Sequence, residues 1–217
     1  MDGRGETVVG YTDESAIDIS GIATDMDEAR MPILVHTCCG PCSTSVVERL
    51  APDYDITLYY YNPNITDEEE YRRRYEALKK FVTAWQAGAG AGRKLALVAG
   101  PYEPAVFLRQ AEGLDAEPEG GRRCLRCFEL RLSRTAEYAV MHGFEVFTTT
   151  LSVSPHKDFT AISQIGRAAA LKYGIRFLAE DFKKRDGYRR SVELSKQYGL
   201  YRQDYCGCEF SRREAAR

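Results

Sequence analysis

The chain has no run of apolar residues long enough to cross a bilayer, and its N-terminus lacks the basic, then apolar, then small-residue order of a secretory signal. The cytoplasm is therefore the expected compartment, where thiols are kept reduced. A strong net charge is missing too: the total is −2 at pH 7, which demands neither a nucleic acid nor a cationic partner. The cysteines do not come in an even number; there are seven, which argues against a closed disulfide framework. What is there is ordinary for a soluble globular chain: 217 residues, 44% apolar and 29% charged, enough for one domain with a full core and too few for two.

The small net charge conceals a split. Residues 1–30 hold eight acids against two bases, a net of −6, so residues 31–217 carry +4. With no sustained apolar periodicity, the first thirty residues read as a poorly ordered acidic leader, followed by a single domain over 31–217. Bases cluster at 122–134 and again at 183–190 (Lys183, Lys184, Arg185, Arg189, Arg190). Either run suits a polyanionic partner, and either is equally explained as a solvated helix face.

Strand-like apolar runs alternate with amphipathic stretches of helical length, the pattern of a parallel α/β sheet. Strands are expected at 33–36, 56–61, 94–99, 145–151 and 175–179, and helices at 42–50, from Thr66 through Val82, and at 104–112, 124–142, 159–173 and 188–198, with an irregular tail after them. Thr66 heads the second helix in a capping-box pattern, Thr66-Asp67-Glu68-Glu69. The expected fold is a three-layer, Rossmann-like, mostly parallel sheet of about five strands. Ligands bind beyond the carboxyl ends of such strands, so residues 36–42, 62–65, 149–157 and 181–187 belong on one rim. The run Tyr59-Tyr60-Tyr61 reads as core packing before a base-stacking platform.

The chemistry-bearing residues are cysteines in three tight groups. His36-Thr37-Cys38-Cys39-Gly40-Pro41-Cys42 leaves a strand and enters a helix N-terminus, whose partial positive charge favours thiolates. Cys124-Leu125-Arg126-Cys127 lies at the start of a second helix, where Arg122, Arg123 and Arg126 are expected to lower the thiol pKa. Cys206-Gly207-Cys208 closes the set. Adjacent cysteines do not suit a zinc finger, whose ligands come as spaced pairs. Cys38, Cys39, Cys124 and Cys127 can instead supply the four thiolates of a cubane iron–sulfur cluster; the plainer alternative is buried core thiols. Cys206 and Cys208 fit a strained, easily reduced disulfide, with Gly207 giving the backbone freedom, or ligands of a second metal ion with Asp204 or Asp181.

Six segments together resemble one family. They are residues 36–42 and 122–132 (Arg122 to Leu132), Phe147-Thr148-Thr149-Thr150-Leu151, Ser154-Pro155-His156-Lys157, Asp181-Phe182-Lys183-Lys184, and 201–208 ending in Cys206-Gly207-Cys208. In order, over about 32–211, they look like the QueH family of epoxyqueuosine reductases. The resemblance implies a fold similar to adenine-nucleotide alpha-hydrolase-like (HUP) domains. It implies an oxidoreductase acting in queuosine biosynthesis, removing the epoxide oxygen of epoxyqueuosine in the anticodon of tRNA. It also implies [4Fe-4S] ligation by Cys38, Cys39, Cys124 and Cys127, with a redox-active pair at Cys206 and Cys208. Cys42 and Asp181 are further candidate ligands.

Reducing an epoxide to an alkene and water needs two electrons and two protons, so an external electron donor is a required partner. An acid must protonate the departing oxygen; Asp204 is the nearest to the cysteine pair, with His36 and Asp181 next. For His36 and His156 a hydrogen-bonded structural role is at least as good a reading. No cobalamin-binding signature is present. Two rivals stand: an iron–sulfur tRNA thiolation enzyme and a zinc-stabilised tRNA-binding module. The first needs a Ser-Gly-Gly-x-Asp-Ser phosphate loop after the first strand, where this chain has cysteines.

Overall fold

The computed structural model describes residues 30–215; apart from Arg30, the acidic leader lies outside the described residues. Five strands form one all-parallel sheet in the order β3-β2-β1-β4-β5. They are β1 (Met31–His36), β2 (Tyr54–Tyr60), β3 (Leu95–Ala99), β4 (Val146–Thr149) and β5 (Arg176–Phe177). The helices are α1 (Gly40–Leu50), α2 (Glu68–Ala87), α3 (Pro104–Ala111), α4 (Arg122–Met141), α5 (Phe159–Tyr173), α6 (Gly187–Gln197) and α7 (Glu209–Ala215). Among the described residues, no helix is long and apolar enough to cross a membrane.

β1 is central, and its alternation divides the core in two. Ile33 and Val35 point into a cluster with Val46 and Val47 of α1 and with Leu78 and Phe81 of α2. Leu34 points the other way, against Ala136 and Ala139 of α4, Ala169 and Ala170 of α5, and Phe147. Helices therefore cover both faces, giving the expected three layers. Leu34 is fully buried, and burying a leucine contributes about 1.5–3 kcal/mol. Tyr59, Tyr60 and Tyr61 are buried in these same two clusters, so the tyrosine run is core.

Four local expectations are corrected, each by a side chain taking a backbone group. The cap of α2 is Asp67, not Thr66: its carboxylate accepts the Glu70 N–H at 3.1 Å. The fourth strand stops at Thr149 because that hydroxyl accepts the Leu151 N–H at 3.1 Å and starts a 3₁₀ turn over Thr150–Val153. β5 is two residues long; Leu178 still donates to Phe147, but its own carbonyl is taken by the Thr148 hydroxyl at 2.8 Å, which ends the ladder. The tail beyond Cys208 is not irregular but helical, and the Ser211 N–H reaches the Cys208 sulfur at 3.4 Å.

α1 begins two residues before its expected start, at a point set by Gly40. A Cβ there would lie 2.8 Å from the Ala77 carbonyl of α2. Glycine is thus what lets the first turn of α1, bearing Cys39 and Cys42, close onto α2. Gly40→Ala is expected to destabilise the protein by about 1–3 kcal/mol through overpacking. A thermal or denaturant unfolding midpoint unchanged from the parent would contradict this.

Candidate metal centre and active-site cavity

Because the strands are parallel, their carboxyl ends share one rim. Cys38, Cys42, Asn62, Thr150 and Lys157 all line a 510 Å³ cavity there, with Asp204 and Cys206 brought in from the C-terminal segment. Of the four expected rim segments, 181–187 contributes nothing to this lining. Asp181 instead faces Lys183 at 3.5 Å and lines neither this cavity nor its neighbour.

Cys39 occupies the N-cap of α1 in extended backbone, and Pro41 and Cys42 lie in the first turn. This turns three sulfurs inward: those of Cys38, Cys39 and Cys42 lie within 4.8 Å of one another. Cys38 and Cys39 are 3.8 Å apart. The Thr150 hydroxyl is 3.6 Å from the Cys38 sulfur, and the Gln203 amide donates to the Cys39 sulfur at 3.0 Å. The three thiols titrate as a unit. Cys38 lies well below the usual thiol value because Cys39 and then Cys42 donate to it; Arg131 and Lys157 assist, against burial. Cys39 is pushed up to about 12 by its bond to Cys38, and Cys42 is raised by its bonds to Cys38 and Cys39. Of the three, Cys38 is therefore the thiol that ionises first.

The other four thiols line a second, adjoining cavity of 240 Å³, where Cys124 and Cys127 of α4 meet Cys206 and Cys208. Cys206 lines both cavities. Cys124 also packs, with Cys38, against Phe128, Leu132, Leu151 and Ile162. All seven cysteines are free thiols. The expected lowering of the α4 thiols by neighbouring arginines is corrected. Arg122 pairs with Glu117 at 2.7 Å, Arg126 pairs with Glu129 at 3.0 Å, and Arg123 donates to the carbonyls of Leu114 and Glu117. Burial instead raises Cys124, and it pushes Cys127 up to about 11 and Cys208 up to about 12.

The arginine that does reach a thiol is Arg131, one helical turn after Cys127 and 1% exposed. Its guanidinium donates to His36 Nε2 at 3.2 Å and to Asn62 Oδ1 at 2.6 Å, and it approaches the Cys127 sulfur at 3.8 Å. His36 Nε2 also lies 3.2 Å from the Tyr61 carbonyl, and Nδ1 lies 2.8 Å from the Thr149 hydroxyl, which can donate or accept. Burial and the Arg131 charge bring the His36 pKa down to about 3. His36 is therefore a neutral, fully engaged structural histidine, away from the cavity lining.

The C-terminal segment is held from α2. Buried Arg74 pairs with Glu70 at 2.6 Å and donates to the carbonyls of Cys206 and Tyr205 at 2.9 and 3.2 Å. The Tyr201 hydroxyl donates to Glu70 at 3.0 Å. Gly207 has φ +113°, and a Cβ there would meet Arg74 Nη1 at 2.8 Å; the cysteine pair can be spaced only by glycine. Asp204 is exposed at the cavity lining. Lys157 lines both cavities. Burial works against its charge, but its electrostatic interactions with Cys206 and then Cys38 outweigh burial and raise its pKa.

The donor set fits a thiolate-ligated iron–sulfur cluster: soft sulfur ligands, a mutually close triad, and a buried guanidinium with no carboxylate partner among the described residues. A buried cation requires an anion. Among the described residues, the groups that act on its charge most strongly are the sulfurs of Cys127, Cys38 and Cys206.

The family model described as "Epoxyqueuosine reductase QueH" matches residues 33–214. The protein of that name from Streptococcus pyogenes serotype M1 is 42% identical over 187 residues, covering 86% of this chain and 72% of the relative. The Staphylococcus epidermidis protein is 41% identical over 189 residues, 86% of this chain and 79% of its own. The Thermotoga maritima protein is 36% identical over 179 residues, 82% and 89% respectively. Both carry the same name.

In metal-free, reduced protein at neutral pH, a short pulse of alkylating agent is expected to modify Cys38 first. Cys127 and Cys208, whose thiols are protonated until well above neutrality, follow only as the pH is raised. Peptide mapping checks this; labelling of Cys127 ahead of Cys38 would contradict it.

Proposed function

The chain belongs to the epoxyqueuosine reductase QueH family, and on that premise we propose that it reduces the epoxide of epoxyqueuosine in tRNA to the alkene of queuosine, without cobalamin, in the cytoplasm. The observation that carries this reading is the meeting of two cysteine groups in one cavity: Cys38 and Cys42 of the close triad line it together with Cys206 on a clamped loop. A thiolation enzyme needs a phosphate cradle at that first loop, and here the loop presents sulfur.

Cys38, Cys39, Cys124 and Cys127 are the proposed ligands of a [4Fe-4S] cluster. Cys42, the third sulfur of the triad, is the first substitute for any of them. The packing of Cys38 and Cys124 on one apolar cluster supports the pairing of α1 with α4. When bound, the cluster would supply electrons one at a time, from an external donor. Arg131 holds the Cys127 side of the site and compensates its charge. Cys206 and Cys208 are the proposed redox pair, exchanging two electrons as dithiol and disulfide, and Arg74 fixes their loop. Asp204 sits where it can orient substrate or deliver a proton through water.

The basic run at 183–190 contributes less positive surface than its composition suggests. Lys183 donates to the Lys157 carbonyl, Arg185 pairs with Glu180, and Arg190 pairs with Glu48. Lys184 and Arg202 are exposed, and Arg202 lies over Tyr188 in the cavity lining. These two are the proposed backbone contacts for the RNA. Lys184→Glu with Arg202→Glu is expected to weaken tRNA binding and flatten its salt dependence, and removal of residues 1–30 to leave affinity equal or higher. An unchanged salt slope in the double variant would contradict the assignment.

The activity is tested by incubating anaerobic protein with epoxyqueuosine-bearing tRNA and a low-potential reductant, then measuring the nucleoside mass after digestion. Loss of one oxygen, unaffected by added cobalamin, is expected. Serine at Cys38, Cys39, Cys124 or Cys127 should abolish the visible absorbance, whereas Cys208→Ser should keep it and stop after a single turnover. Retained absorbance in two of the four serine variants would move the ligand assignment to Cys42.

A further inference from the structure

Four residues line both cavities: Glu119, His156, Lys157 and Cys206. Cys206 is the thiol shared by the two cavities, and Glu119 is already engaged, accepting a hydrogen bond from the Ser211 hydroxyl at 3.1 Å. Lys157 is different. It carries the one ammonium of the four, and no carboxylate or carbonyl of the described residues binds it. Its backbone is fixed: the Lys157 N–H bonds the Ser154 carbonyl at 3.3 Å, and Lys183 Nζ donates to the Lys157 carbonyl at 3.2 Å. Lys157 thus stands on an anchored backbone and lines both cavities, its ammonium bound to no carboxylate or carbonyl among the described residues.

The reaction needs such a group, and the acids suggested by the sequence do not supply it from the same position. His36 is buried, engaged on both nitrogens and outside the lining. Asp181 faces Lys183 and lines neither cavity. Asp204 lines only the larger cavity and is exposed. Resting on the reductase reading above, we propose that the Lys157 ammonium is the proton donor to the departing epoxide oxygen.

The balance is complete. Both carbon–oxygen bonds break, and the two carbons take an electron pair from a low-potential one-electron donor protein acting twice and become an alkene. The oxygen leaves as water after gaining two protons. Lys157 gives one proton and is restored by solvent, which supplies the other. An ammonium placed among the cysteines of both cavities keeps its proton until a stronger base forms. The alkoxide released by the first bond cleavage is that base.

The experiment compares holoenzyme variants of matched absorbance spectrum, with wild type as the control on the reading itself: if wild type leaves the epoxide intact, the function fails, not this inference. With wild type active, Lys157→Met is expected to lower kcat by about 10²–10⁴-fold, with KM for the tRNA within about threefold. Lys157→Arg keeps the charge but holds its proton too tightly to give it up, and is expected to be as slow. Methylammonium added to Lys157→Ala should restore part of kcat. If Lys157→Met fails to fold, the arginine variant and the amine rescue decide alone. Wild-type kcat in Lys157→Arg, or absence of rescue in a folded Lys157→Ala of native spectrum, would overturn the proposal. So would a rise in KM with kcat intact and a shallower salt slope, the mark of a phosphate contact. A kcat loss seen in His156→Gln but absent from Lys157→Met would pass the role to the neighbouring imidazole.

Discussion

A guanidinium buried to 1% exposure beside three neutral hydrogen-bond partners is the constraint on which this site depends. Removing a charge from water costs several kcal/mol unless an opposite charge comes with it. Arg131 has no carboxylate for this among the described residues, and the nearest groups able to become anionic are sulfurs. The same side chain joins three elements. It leaves α4, fixes His36 at the end of β1, and fixes Asn62 after β2, while Asn62 in turn donates to the Thr37 carbonyl at 2.9 Å. The loop that presents Cys38 and Cys39 is therefore positioned by the residue whose charge favours the Cys38 thiolate. Structure and electrostatics are coupled here in a way that a neutral core would not be.

A second buried arginine lines the same cavity, with a different solution. Arg74 does have its carboxylate, Glu70, and spends its remaining donors on the carbonyls of Cys206 and Tyr205. The loop of the third cysteine group is held by its backbone, leaving its thiols unencumbered by the clamp. That suits groups that change oxidation state, because a thiol and a disulfide sulfur differ in charge and hydrogen bonding while the carbonyls do not. The cavity thus has one wall where sulfur charge is compensated and one where the sulfur-bearing backbone is fixed.

Much of the fold was legible in the sequence because it is local. The apolar alternation of β1, the helical spacing of α5 and the shared rim of a parallel sheet all follow from short-range pattern. What was missed depends on partners distant in sequence. Nothing near Thr148 shows that its hydroxyl ends β5 thirty residues on. The role of Arg131 was hidden in a row of similar arginines, four of which turn to carboxylates or carbonyls nearby. The three groups of cysteines were legible as groups; the closeness of Cys42 to Cys38 and Cys39 was not, since it arises from the extended N-cap at Cys39 and the tight turn that Gly40 allows. α7 carries no usual start signal in the sequence, since the group that takes its Ser211 N–H is the Cys208 sulfur and not a side-chain oxygen.

The central claim is that the buried charge of Arg131 is matched by an iron–sulfur centre held by these thiols. Iron and acid-labile sulfide content, measured on anaerobically purified wild-type protein and on Arg131→Met, tests it most directly. The account predicts iron and sulfide in equal amounts in wild type, and loss of both in the variant while the folded circular-dichroism spectrum is kept. Zinc without sulfide in wild type, or a full complement of iron and sulfide in Arg131→Met, would contradict it.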